Sequence, residues 1–374
     1  MKKLVLTLMM VSVLASFAGC GNETKDVDTS VEETEAVVTV ATTDEEVSDT
    51  VVDEEVVTEE ETVADETISE EDSSNTEVTA ETEGDSSGVQ KLVYDKQCLH
   101  DIHGVSNIRQ LGGYVNKDGK VIKQDVLIRS GNLVHCTPDS QALLSEKYHV
   151  SDIIDFRSDK EIESMGEDVE VDGAEYHHIE MNTSKEGQEF LNENPELGKK
   201  MMELGKAASE THDDTELTLF RADIGIISVD SAVNYLLSDE AAEKYGEFFK
   251  ILLDKPEDSA IVFHCTGGKD RTGLASTLLL YALDFDEDVI KQDYMLTNEA
   301  NAEKIEKLME AGKEYKDDEE FLYNLYFANG VYEEVYDKLV NGLIEQSGSV
   351  RDYLINKVGL TEDDIVKLKD IYLE

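Results

Sequence analysis

The chain of 374 residues has few basic residues, no tryptophan and no apolar run long enough to cross a membrane. Its 33 lysines and arginines stand against 85 acidic residues, which gives a formal net charge of −52. Nucleic-acid-binding proteins present a basic surface, so this charge excludes that class of partner. No set of histidine, cysteine and acidic residues has the spacing of metal ligands, and we expect neither a metal nor another cofactor.

Residues 1–20 have the pattern of a secretory signal, with Lys2 and Lys3 before an apolar run from Leu4 to about Phe17. That run is too short for a transmembrane helix. The sequence FAGC at 17–20 resembles the lipobox of bacterial lipoproteins, in which the cysteine is lipidated. The resemblance implies an extracytoplasmic protein held at the bacterial cell membrane only by a lipid on Cys20. Because phenylalanine replaces the usual leucine, secretion with an unmodified Cys20 remains the alternative.

Residues 21–90 contain 25 acidic residues and one lysine, and they lack leucine, proline and aromatic residues. Alternation of valine and threonine in this segment could suggest strands. However, its charge density and its lack of large apolar side chains prevent a packed core. We therefore expect a disordered acidic tether that keeps the rest of the chain away from an anchored Cys20.

Residues 91–374 carry the periodic apolar segments of a folded domain. Three cysteines lie in this part, Cys98, Cys136 and Cys265, so at least one of them is unpaired. A disulfide between Cys98 and Cys136 is one possibility, and two isolated thiols are the interpretation that we favour.

Short apolar runs at 126–128, 153–156 and 260–263 have the length and composition of strands buried on both faces. Amphipathic stretches predict helices at about 138–147, 240–254, 287–310, 331–346 and 349–357. Alternation of strands with helices indicates an α/β fold with a mostly parallel central sheet. Residues 182–237 break the alternation and predict a helical insertion, either packed on the sheet or acting as a lid.

The sequence FHCTGGKDRTG at 263–273 lies between the third apolar run and a helix predicted over 272–283. The paired glycines let backbone N–H groups turn inward, and the helix N-terminus adds its positive dipole end. Together they predict an anion cradle of phosphate size with Cys265 at its floor. A free cysteine has a pKa near ~8.5, and such surroundings should lower it by several units.

Arg271 follows Cys265 by six positions, which closes a loop with its guanidinium opposite the thiolate. A guanidinium can grip two phosphoryl oxygens, and a thiolate can form a phosphocysteine intermediate. The spacing of a cysteine and an arginine six positions apart is a weak motif by itself, because chance can produce it. Together with the strand, the glycines and the helix, it favours phosphoryl transfer over a structural cysteine at the end of a strand.

The loop resembles the P-loop of cysteine-dependent tyrosine phosphatases, and its Lys-Asp pair resembles that of their secreted bacterial branch. Four further elements extend the resemblance over most of residues 91–374: NIRQLGGY at 107–114, RSG at 129–131, DFRS at 155–158 and DYMLTN at 293–298. The resemblance implies a phosphatase domain with the protein-tyrosine-phosphatase-like α/β fold. Gln110 stands where the branch has aspartate, so a charge is lost there while a hydrogen-bonding role could survive.

The resemblance also implies roles for individual residues. Cys265 is the expected nucleophile, Arg271 the phosphate clamp and Thr272 a hydroxyl donor to the thiolate. Asp270 is the first candidate for the general acid, because the branch lacks the separate loop that bears a tryptophan; Asp155 is the second. Alternatively, Asp270 only buttresses Arg271 or Lys269. The remaining expected substrate-binding residues lie in the loop: Thr266, Gly267, Gly268, Lys269 and Gly273.

The branch acts on phosphotyrosine, sometimes on phosphoserine and phosphothreonine, and on phosphoinositides. We therefore expect a tyrosine phosphatase, possibly of dual specificity. A phosphatase of phosphoinositides or inositol phosphates is the alternative, which Lys269 favours. A catalytically silent phosphate-binding module is a third hypothesis, although the chain retains Cys265, Asp270 and Arg271.

Overall fold

The computed structural model describes residues 89–182, 185–211 and 213–374. The predicted signal at 1–20, with Cys20, and nearly all of the predicted tether at 21–90 lie outside these residues. Gln90, the last residue assigned to the tether, is held against the domain. Its side-chain amide donates to the carbonyl of Gly113 at 3.0 Å, and its side-chain oxygen accepts from the N–H of Val115 at 2.8 Å.

Five strands form one sheet in the order β1-β2-β5-β3-β4. Only the pairing of β1 with β2 is antiparallel, and the other neighbours run parallel. The strands are β1 (Arg109–Gln110), β2 (Leu127–Ser130), β3 (Val150–Asp155), β4 (Glu175–His178) and β5 (Ala260–His264). The mostly parallel α/β sheet predicted from the sequence is therefore confirmed.

Helices surround the sheet in the described part of the chain. They are α1 (Tyr94–Gln97), α2 (Pro138–Glu146), α3 (Asp159–Met165), α4 (Lys185–Glu193), α5 (Pro195–Thr211), α6 (Thr215–Asp223), α7 (Val229–Leu236), α8 (Asp239–Asp254), α9 (Asp270–Ala282), α10 (Glu287–Ala300), α11 (Ala302–Tyr315), α12 (Glu319–Asn329), α13 (Glu333–Ser347), α14 (Val350–Asn356) and α15 (Glu362–Tyr372).

The central strand β5 is apolar up to His264, because both faces of the sheet are covered there. Ile154 and Phe263 enter the larger core, which the helices of the C-terminal half enclose. Their neighbours Ile153 and Val262 point the other way, into a smaller core near α2. Since β5 lies in the middle of the sheet, its carboxyl end delivers Cys265 to the centre of one sheet edge, where α/β proteins bind ligands.

The single helix predicted at 287–310 is wrong, because the chain breaks at Asn301 into α10 and α11. The side-chain amide of Asn301 donates to the carbonyl of Asn329 at 2.8 Å, which ties this break to the end of α12. The helix predicted from Thr272 begins two residues earlier, at Asp270. No helix in the residues that the structure describes is both long and apolar enough to span a membrane.

The helical insertion predicted at 182–237 is confirmed as α4 to α7. Leu191, Met201, Phe220 and Ile226 form a small core within it. Another face of α6 packs with α11 and α12 through a second small core that includes Leu219 and Leu325. The proposal that this insertion acts as a lid stays a prediction.

Candidate active site

Cys265 follows the last residue of β5, and the loop after it turns directly into α9. Gly268 has a φ of +63°, and a Cβ there would lie 2.4 Å from the backbone of Ser130. Only glycine therefore lets the loop pass this close to β2. The loop brings Cys265 and Arg271 to one cavity of about 170 Å³.

The Cys265 side chain is buried, with 3% of the residue exposed. Burial alone would raise the pKa of its thiol. The charge of Arg271, together with the nearby hydroxyl and backbone N–H of Thr272, lowers that pKa below the ordinary value. A thiol in this setting is thiolate at lower pH than a free cysteine, and the thiolate is the nucleophilic form.

Arg271 is held by a carboxylate that the sequence interpretation missed. Its Nη1 and Nη2 donate to the two carboxylate oxygens of Glu161, each at 2.7 Å. Both residues are buried, and the pKa of Glu161 falls to about 2 because the charge of Arg271 outweighs the effect of burial. A bidentate pair of this kind fixes the plane of the guanidinium.

Glu161 is itself positioned by the start of α3. Ser158 caps this helix, and its backbone N–H donates to Oε2 of Glu161 at 2.8 Å in a capping box. The hydroxyl of Thr266 in the cysteine loop donates to the other carboxylate oxygen at 2.5 Å. The spacing Ser-x-x-Glu at 158–161 was visible in the sequence as a helix start, but nothing local connects it with Arg271.

The four elements that resemble the phosphatase branch brace the cysteine loop and its clamp. Asn107 donates its side-chain amide to the carbonyls of Gly267 and Gly268, and Nη2 of Arg129 donates to Gly268 as well. Arg109 and Arg129 both contact the carboxylate of Asp293, at 3.1 and 2.5 Å. All three of these charged side chains are buried. The loop is therefore supported from below by a buried ionic network.

Gln110 keeps a hydrogen-bonding role without the charge of the branch's aspartate. Its side-chain oxygen accepts from the backbone N–H of Asp125 at 2.8 Å. Asp125 has a φ of +57°, so this bond supports a turn that is unusual for a side chain other than glycine.

Asp155 is placed away from the cavity, whose described lining does not include it. Its carboxylate is fully buried and bound by Nη2 of Arg157 at 2.7 Å and by the hydroxyl of Tyr176 at 2.8 Å. The nearby His264 and the hydrogen bonds and charge of Arg157 outweigh burial and lower its pKa to about 2. A carboxylate held in the charged form so firmly is poorly suited to donate a proton, which favours Asp270 as the acid.

Two groups of acidic residues and histidine come close enough in space to resemble metal sites, although their sequence spacing gave no sign of it. In the buried group of Asp155, Asp168 and His264, the guanidinium of Arg157 lies against both carboxylates, at 2.7 and 2.9 Å. His264 also contacts Asp168 at 2.8 Å. These donors already compensate the carboxylate charges, so the group needs no ion to be stable.

Asp270 and Lys269 both line the cavity, and they form an ion pair at 2.8 Å. The Lys269 ammonium also lies 3.6 Å from the centre of the Phe327 ring. The Asp270 side chain retains 21% exposure, in contrast with 6% for Lys269. Of the carboxylates considered as the acid, Asp270 is thus the one that the structure brings to the cavity with Cys265.

Residues of the insertion and of α12 complete the cavity. Together with Asn301 at the break between α10 and α11, they form one lining with the cysteine loop and α3. These residues are Asp214, Thr218, Arg221, Ile227, Ser231, Ala232, Leu236, Asn301, Ala328 and Asn329. Of the predicted site residues, Cys265, Thr266, Gly267, Lys269, Asp270 and Arg271 line the same cavity. Thr272 lies behind the thiol, and Gly268, Gly273 and Asp155 are absent from the described lining. All three described cysteines are free thiols, as favoured from the sequence.

A central strand that delivers a thiol and a clamped arginine to an anion cradle is typical of phosphatases. The chain belongs to the tyrosine phosphatase family, whose sequence profile matches residues 100–374. It is also 26% identical over 210 residues to a protein of Cupriavidus necator that bears the name putative tyrosine-protein phosphatase. The aligned stretch is 55% of this chain and 66% of the relative, just under two thirds of the relative's length.

Proposed function

We propose that the chain is a cysteine-dependent phosphatase that hydrolyses phosphotyrosine in proteins through a phosphocysteine intermediate. The observation that carries this proposal is the position of Cys265 in one cavity with Arg271, which Glu161 holds in place. Membership in the tyrosine phosphatase family and the name of the relative support phosphotyrosine as the substrate.

In the first step the Cys265 thiolate attacks phosphorus, and the bond from phosphorus to the leaving oxygen breaks. Asp270 gives its proton to that oxygen, so the alcohol leaves uncharged. Arg271 and the N–H groups of the loop stabilise the charge that spreads over the phosphoryl oxygens. In the second step water attacks the phosphocysteine, Asp270 takes a proton from the water, and the thiolate is released with help from Thr272.

The test is phosphate release from a phosphotyrosine peptide by the full chain, with reductant present, beside the Cys265→Ser variant. We expect release by the wild type alone. Full turnover by Cys265→Ser would exclude the phosphocysteine mechanism, and silence of the reduced wild type would favour a phosphate-binding module.

Phosphoinositides are a second candidate class, because the Lys269 ammonium lines the cavity beside the cysteine loop. Lys269→Ala should lower turnover of a phosphoinositide more than turnover of the phosphotyrosine peptide. An unchanged ratio would remove the support for this class.

We also propose that the enzyme acts outside the cytoplasm, anchored to the cell membrane by a lipid on Cys20 and spaced from it by the acidic segment at 21–90. The lipobox-like sequence at 17–20 supports this placement. Cys20→Ser should move the protein from the membrane fraction to the soluble fraction. An unchanged distribution would argue against the anchor.

A further inference from the structure

Arg221 is a second arginine in the active-site cavity, and no step described above uses it. It comes from α6 of the insertion, whereas Arg271 lies in the first turn of α9, directly after the cysteine loop. Both arginines line the same cavity. The backbone carbonyl of Arg221 accepts from the N–H groups of Ile226 and Ile227, which fixes the turn at the end of α6.

The Arg221 guanidinium has no hydrogen bond or ion pair with any other residue in the part of the chain that the structure describes. Its Nε is closed off from solvent and lacks a partner there. Burial lowers the pKa of Arg221, which the nearby charges of Asp214 and Glu161 only partly offset. Arg221 as a whole is half-buried, so only part of its surface is closed off from solvent. Arginine stays protonated in proteins, and an anionic ligand would supply the partner that the buried Nε lacks.

Most other charges of the cavity are already paired, and Asp214, which also lines it, acts on Arg221 through its charge without an ion pair among the described residues. Both oxygens of Glu161 bind Arg271, and Lys269 binds Asp270. Arg271 is bound to Glu161 and lines the cavity with Cys265, whereas Arg221 enters the same cavity from α6 of the insertion. The Nε of Arg221 has no partner in the described chain, so this arginine is available to a group other than the phosphate that reacts with Cys265.

We propose that Arg221 binds a second anionic group of the substrate, a phosphate or a carboxylate, while the cysteine loop holds the reacting phosphate. The inference rests on the proposed function and adds a specificity residue to it. A guanidinium fork suits either anion, because its two N–H edges can meet two oxygens of the same group. The preferred substrate is then a phosphomonoester with another anionic group nearby, either on a phosphopeptide or on an inositol ring.

The test compares kcat/KM of the full chain on substrate pairs that differ by one anionic group. The pairs are a phosphotyrosine peptide with and without an adjacent second phosphotyrosine, the same peptide with and without an adjacent glutamate, and an inositol bisphosphate beside a monophosphate. For at least one pair, we expect the wild type to prefer the member with the additional anion by about 10- to 100-fold, the effect of charge-assisted hydrogen bonds from one guanidinium.

Arg221→Met should bring that ratio close to one, and Arg221→Lys should leave an intermediate ratio because it keeps the charge and loses the fork. Arg351→Met is the matched control, since Arg351 is exposed and pairs with Glu362 on the surface. A wild type without preference in any pair would overturn the proposal. An unchanged ratio in Arg221→Met, or an equal loss on both members of a pair, would do the same.

A binding measurement separates this inference from the proposed chemistry. In the full-chain Cys265→Ser protein, pyrophosphate should bind more tightly than inorganic phosphate, and Arg221→Met should remove that difference. If the wild type released no phosphate from any substrate while this difference held, the phosphatase proposal would fail and the second anion site would stand. Equal binding of the two anions would count against the site itself.

Discussion

Replacing Asp293 with asparagine tests the ionic network under the cysteine loop. Asp293 is the carboxylate that faces the buried guanidinium groups of Arg109 and Arg129, and the hydroxyl of Tyr114 donates to it at 3.1 Å. Burial and the charge of Arg109 already lower the pKa of Arg129 to about 10. Without Asp293, two buried cations of like charge face a neutral amide.

Removing one partner of a buried ion pair costs about 3–5 kcal/mol of folding free energy. For a domain of this size, each kcal/mol shifts Tm by about 2–4 °C, so we expect Asp293→Asn to lower Tm by roughly 10 °C. Urea unfolding, monitored by circular dichroism, measures the same loss of folding free energy as a lower midpoint concentration of urea. Asp337→Asn is the control, because its pair with Lys291 at 3.0 Å is exposed and should contribute less than about 1 kcal/mol.

The pH dependence sharpens this test. Burial raises the pKa of Asp293, but Arg129 and Arg109 outweigh it and lower that pKa overall. A lowered pKa in the folded state contributes stability above the unfolded value of about 3.9, and this stability is lost as the pH falls further. The difference in the free energy of unfolding between wild type and Asp293→Asn should therefore be largest at neutral pH and should decrease below about pH 4. Equal stability of Asp293→Asn and Asp337→Asn at pH 7 would refute the reasoning.

Three further predictions concern the site. Glu161→Gln should lower kcat/KM on a phosphotyrosine peptide by about 100-fold with the fold retained, because an amide N–H₂ would face the Arg271 donors. Near-normal kinetics would contradict the role of Glu161 in positioning Arg271. Iodoacetamide at pH 6 should label Cys265 before Cys136, because burial raises the pKa of Cys136 to about 11. Peptide mass spectrometry measures the order of labelling, and labelling of Cys136 first would show that the Cys265 thiolate is not stabilised. Asp270→Asn should slow phosphotyrosine hydrolysis by about 10²- to 10⁴-fold and p-nitrophenyl phosphate hydrolysis far less, since that leaving group needs no proton; equal losses would remove Asp270 as the acid.

The local parts of the site were predictable from the sequence. A strand, a glycine loop and a helix within about twenty residues specify where Cys265 and Arg271 stand, because their chemistry depends on backbone close to them. The sheet was predictable for a similar reason, since strands buried on both faces contain short apolar runs. Strand β1 has only two residues and carries no such run, and it was missed.

The partners of the loop could not be predicted in the same way. Glu161 binds a residue 110 positions away, and Arg221 reaches the cavity from α6, a helix of weak amphipathicity. Asp155 was the second candidate for the acid after Asp270, and the local sequence of neither residue shows whether its side chain reaches the cavity. The fold separates them, since Asp155 points into a buried pair with Arg157.

The braces of the cysteine loop also have a kinetic consequence. Asn107 and Gly268 are 161 positions apart, and Arg109 and Asp293 are 184 positions apart. Such distant contacts close large loops and form late in folding. Recovery of phosphatase activity during refolding should therefore lag behind the recovery of helical circular dichroism, and catalysis becomes a reporter of the last step of assembly.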